Sequence, residues 1–127
     1  MSGTTTRTIG AVISQARTLL QDVTPTVNGL YRYTDQDLTD NFNGAMIEAR
    51  KLRPDLFLAY GLRTPLPLYT TSNLSDGTLF PVDEQYFTAF IWYVVGRAEL
   101  REDTFTDDSR AVSLMNKFIS ALTEPKT

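Results

Sequence analysis

Carboxylates carry most of the acid-base chemistry open to this sequence, because it contains neither histidine nor cysteine. That absence excludes disulfides, Cys nucleophiles, Ser-His and Cys-His catalysis, and thiolate or imidazole zinc sites. A carboxylate hydrolase needs two such groups facing each other across a cleft. Here Asp35, Asp37 and Asp40 gather in one stretch and Asp107 and Asp108 in another. Each group falls at a predicted helix start, where negative charge complements the helix dipole. Hard-cation binding is conceivable around Glu99, Glu102, Asp103, Asp107 and Asp108, but the spacing lacks the alternating ligands and central glycine of an EF-hand loop. The seven glycines are scattered, so no phosphate-cradling loop is present. No cofactor and no metal are expected, and an enzyme is the last of the readings considered.

The one basic concentration, Arg50, Lys51 and Arg53, ends a predicted helix, where cations complement the dipole. Its alternative role is an ion-pair patch for an acidic neighbour. Trp92 and Tyr93 fit either a core or an interface anchor. Twelve basic against fifteen acidic residues leave a net charge of −3, which argues against a DNA-binding surface. At 127 residues, 42% hydrophobic and 21% charged, the chain fits one foldable domain over 1–127. The longest apolar run, residues 89–95, is too short to span a bilayer, so a soluble protein is expected. Residues 1–8 lack the apolar region of a signal peptide and are expected to form a flexible arm, and 123–127 a short tail.

Four helices are predicted to position these groups. Ile9, Val12, Ile13, Ala16, Leu19 and Leu20 make one stripe of a helix over about 8–22. Residues 34–37 resemble a capping box with Asp in place of Glu and open a second helix. Its stripe is Leu38, Phe42, Ala45, Met46, Ala49 and Leu52, and Pro54 stops it. Gly44 within it suggests a close helix crossing. A third helix, about 83–102, is apolar on every side and must be surrounded, either by its own chain or partly by a neighbouring subunit. A fourth, about 107–122, is expected to be capped by Thr106 and to bury Ala111, Leu114, Met115, Phe118, Ile119 and Leu122. Between the second and third helices, residues 65–82 carry an Asp76-Gly77 turn signal and predict a β-hairpin. Pro65 and Pro67 confine its first strand to an edge. The expected fold is therefore mainly α, a four-helix bundle with an inserted β-hairpin.

In this order the segments resemble a family of small tailed-phage head-to-tail connector (adaptor) proteins, the rings beneath the portal of podovirus-like particles. The resemblance is carried by Ala49-Arg50-Lys51-Leu52-Arg53-Pro54-Asp55, by Phe80-Pro81-Val82-Asp83-Glu84, and by Tyr93-Val94-Val95-Gly96-Arg97-Ala98-Glu99. Ser109-Arg110-Ala111 and Phe118-Ile119-Ser120-Ala121-Leu122 complete it, so that it spans most of residues 9–122. It implies a structural virion protein without an active site, placed at the head-tail junction and made in the host cytoplasm. Its implied partners are copies of itself in a dodecameric ring, the portal protein and a tail tube or nozzle protein, with DNA only as passing cargo and no membrane. Another neck or tail-completion component and a small regulatory helical domain are the alternatives.

Two sets of site residues follow. A lone hairpin is marginal, and Leu66, Leu68, Tyr69, Leu79 and Phe80 are more apolar than an exposed ribbon should carry, which suggests a subunit interface. The alternative is that the hairpin folds back on its own bundle. If the chain lines a DNA channel, Glu102, Asp103, Asp107 and Asp108 are the expected acidic lining, since moving DNA must meet no adhesive cationic surface.

Overall fold

The computed structural model of the chain describes residues 7–20, 33–60, 65–101 and 108–123. Among them are four α-helices: α1, Ile9–Leu20; α2, Asp35–Leu52; α3, Phe87–Arg101; and α4, Asp108–Thr123. The mainly α expectation holds. None of these helices is long and apolar enough to cross a membrane.

Local chemistry sets the helix ends. Thr8 starts α1, its Oγ1 accepting from Ala11 N–H at 3.0 Å. The capping box of α2 forms as the sequence suggests. Asp37 N–H donates to Thr34 Oγ1 at 3.0 Å, and Thr34 N–H donates to Asp37 Oδ2 at 3.2 Å. Pro54 drives Arg53 out of helical geometry (φ −140°, ψ 75°), and α2 ends there. Helix α3 begins later than expected: a 3-10 turn, Glu84–Tyr86, comes first, with Asp83 Oδ1 accepting from Gln85 N–H.

Helix α3 lies at the centre and packs against α1, α2 and α4. Its own chain therefore supplies the surround that its apolar circumference demands: Phe90, Val94, Val95 and Ala98 are buried, and Trp92 is half-buried. Where α3 meets α4, a Cβ on Gly96 would lie 3.0 Å from Met115 Sδ, so glycine permits the approach. At Gly44 the Tyr93 hydroxyl would lie 3.3 Å from an added Cβ, which makes α2 and α3 close there too. Two side chains expected in the stripes, Leu19 and Ile119, are instead exposed at the stripe margins.

Residues 65–82 do not form the expected β-hairpin, and among the described residues there is no strand. A 3-10 turn, Thr71–Leu74, replaces the first strand's end. The returning segment pairs with the start of the chain instead, in an isolated antiparallel bridge between Thr8 and Leu79. Ile9 N–H donates to the Thr78 carbonyl at 3.0 Å and Phe80 N–H to the Arg7 carbonyl at 3.1 Å. Arg7 and Thr8 thus belong to the fold rather than to a loose arm; residues 1–6 lie outside the described residues.

The core is one cluster drawn from all four helices and this loop. Phe90 touches Phe42, Phe80 and Phe118, with ring centroids 5.1 to 5.8 Å apart. Truncating it should leave a cavity that the surrounding rings cannot close. Phe90→Ala is expected to lower stability by ~3 kcal/mol in urea unfolding. A loss below about 1 kcal/mol would show that the core collapses around the gap.

Candidate functional site

The loop over residues 65–80 is the sequence-predicted interface. It is bound to the bundle through Asn43, a buried residue in the middle of α2. Asn43 Nδ2 donates to the Tyr69 carbonyl at 2.9 Å, and Tyr69 N–H donates to Asn43 Oδ1 at 3.0 Å. This two-bond clamp takes the backbone groups that a hairpin strand would offer its partner, and Pro65 and Pro67 have no N–H to offer. A second knot shapes the turn. Asn73 Nδ2 donates to Asp76 Oδ2 and to Thr78 Oγ1, both at 3.1 Å, and Thr78 N–H donates to Asp76 Oδ1 at 2.9 Å. Gly77 completes it with φ +80°, which L side chains rarely adopt.

The far side of the loop presses on α1. The Leu74 carbonyl occupies the place where a side chain on Gly10 would begin, so any larger residue there would displace the loop. Phe80 then inserts between Phe42, Phe87 and Phe90. Arg7 covers this corner, its guanidinium 4.5 Å from the Phe87 ring centroid and 3.6 Å from Glu84.

The five predicted interface residues therefore divide. Phe80 is buried in the chain's own core, and Leu66 and Tyr69 are half-buried against it. Leu68 and Leu79 remain outward, 78% and 53% exposed. Of the predicted channel lining, Glu102, Asp103 and Asp107 lie outside the described residues, as does the proposed cap Thr106, and Asp108 begins α4.

The basic cluster is a joint. Arg53 holds Asp55 in a fork, Nε to Oδ1 at 2.9 Å and Nη2 to Oδ2 at 2.8 Å, while Nη1 donates to the Leu122 carbonyl at 2.7 Å. The same Nη1 reaches the Tyr86 hydroxyl at 3.4 Å. One guanidinium thus joins the ends of α2 and α4 to the approach to α3. Lys51 pairs with Glu48 at 3.2 Å. Glu99 Oε1 sits 3.3 Å from Arg110 Nε, an ion pair without hydrogen-bond geometry, and Arg110 also donates to the Leu19 carbonyl at 3.0 Å.

Every carboxylate whose side chain is described is engaged by a hydrogen bond or ion pair. No cluster of three potential metal ligands forms among the described residues. Hydrogen bonds from Arg53 hold the Asp55 carboxyl below its usual range, and those from Thr78 do the same for Asp76. Burial pushes the Tyr93 phenol up.

Two residues that matter here escaped the pattern reading. Asn43 left one trace, a poor helix former in mid-helix beside Phe42. Buried Arg17 left none; its Nη1 donates to the Tyr33 carbonyl at 2.9 Å and its Nη2 to Asp35 at 2.6 Å, tying α1 to the start of α2.

No family model, curated protein or solved structure matches this chain.

Asn43→Ala should cost about 1–3 kcal/mol by leaving the half-buried Tyr69 backbone groups unpaired. Hydrogen exchange at the Tyr69 amide should quicken in that variant while the helical circular-dichroism signal persists; unchanged exchange would mean the clamp does not hold the loop. The pH dependence follows from the lowered Asp55 and Asp76 values. A carboxyl with a depressed folded pKa contributes its stability above the unfolded value, 3.8, and loses it as pH falls through the lower folded one. Stability should therefore decline below about pH 4, and Asp55→Asn should flatten that decline in urea titrations.

Proposed function

We propose that the chain is a structural head-to-tail adaptor of a tailed phage, whose copies form a dodecameric ring joining the portal to the tail. DNA passes through the ring as cargo. In this reading Leu68 and Leu79 are what the loop offers a neighbouring subunit, and the acidic stretch between α3 and α4 faces the channel. The chain has no reaction to catalyse.

One observation carries the reading. The short segments on which the resemblance rests are separate in sequence, yet several of them meet in pairs. Arg53 of the Arg-Pro-Asp piece binds the carbonyl of Leu122, which closes the last piece. Glu99, ending the Tyr93 piece, pairs with Arg110 of Ser109-Arg110-Ala111. These contacts place the quoted segments in one folded unit, as a single adaptor domain requires. The clamped loop adds support, since two exposed leucines on a braced frame lose little entropy on docking.

Light scattering with and without purified portal protein tests this. Monomers alone and a ring-sized complex on the portal are expected. A stable small oligomer indifferent to portal would favour a regulatory helical domain, and binding to tail proteins only would favour a component further down the neck.

A further inference from the structure

Outside the loop, α2 and α4 each present an outward face that no other described residue covers. On α2, Gln36, Asp40, Ile47 and Lys51 follow one another at spacings of four, seven and four residues, and all are exposed. Ile47 is 50% exposed. Along the whole helix four carboxylates, Asp35, Asp37, Asp40 and Glu48, stand against two cations at its end, Arg50 and Lys51, so that α2 is net acidic and Asp40 is the acid on this face. On α4, Val112, Asn116 and Ile119 share an exposed face, and Val112 is 51% exposed. That helix carries Arg110 and Lys117 against one carboxylate, Asp108 at its start. Beside it, the small side chains Ser113 and Ser120 and the half-buried Trp92 of α3 leave an open depression of about 690 Å³. Lys117 stands over the Trp92 ring, 5.6 Å from its centroid.

The two faces are complementary in charge and in shape. We infer that the acidic outer face of α2 in one copy docks on the α4 face of the next, with Ile47 entering the depression beside Trp92 and Asp40 meeting Lys117. Different surfaces meet in this contact, so it is heterologous and repeats by one rotation, which closes a ring when the angle divides the circle. The contact rests on the ring reading for why copies lie side by side, but it makes a claim of its own: which helices touch. Burying two branched aliphatic side chains against an indole supplies the apolar centre that a stable contact needs, and the charges set its register.

The absence of cysteine in the natural sequence makes the test clean. Ile47→Cys and Val112→Cys, singly and together, are treated with a short bis-maleimide at high protein concentration, both with purified portal and without it, with circular dichroism as the fold control. The double variant should yield a ladder of dimers, trimers and higher species, and each single variant only monomer. Adding Lys117→Asp to the double variant should reduce the ladder several-fold, and adding Asp40→Lys to that should restore it. An absent ladder, dimers from a single variant, or a ladder indifferent to both charge changes would overturn the pairing. A charge-dependent ladder from a chain that ignores portal would uphold the pairing and overturn the adaptor reading instead.

Discussion

Helix α3 carries apolar side chains around its whole circumference, and whichever side stayed uncovered would hold them against water at roughly 25 cal/mol for each Å². Three helices and one aromatic side chain from a loop cover most of that circumference and leave Trp92 half-buried. Helices α1, α2 and α4 take three sides, and Phe80 fills the remaining gap between Phe87, Phe90 and Phe42. Close approach follows from the same demand: Gly96 lets α4 lie against α3, and Gly10 lets the loop lie against α1.

Polar joints then fix how these elements are arranged. Arg17 connects α1 to the start of α2, Arg53 connects the end of α2 to that of α4, and Arg110 connects α4 to Glu99 on α3 and to the end of α1. Each arginine satisfies a backbone carbonyl that a helix end or loop leaves open, which is cheaper than burying it unpaired. The planar, many-donor guanidinium suits this work better than an ammonium, because it can hold a carboxylate and a carbonyl at once.

The proposed role makes use of what remains outside. A ring component needs a stiff body and exposed surfaces whose shape is already set, and the Asn43 clamp and the Asn73–Asp76–Thr78 knot give the loop that stiffness without a β-sheet. The carboxylates whose side chains are described are held as caps and ion-pair partners, which adds to that stiffness.

Short-range rules were enough to read the four helices, the capping box at Thr34, the stop at Pro54 and the need to surround α3, because each depends on neighbours within a turn or on the periodicity of one face. The loop was different. Asp76-Gly77 did announce a turn, but whether the flanking segments would pair with each other depended on groups far away in the chain. Asn43 took the backbone of Tyr69, and Arg7 and Ile9 took the backbone of Phe80 and Thr78. Phe80 counted as a surface anchor in the sequence and became core in the structure, because three other rings converge on its position. Of the five predicted interface residues only Leu68 and Leu79 stay outward, a division that the tertiary fold alone decided. Hydrophobic periodicity can say which side of a helix seeks cover; which distant residue provides that cover, and which backbone groups it claims, is decided only when the chain closes on itself.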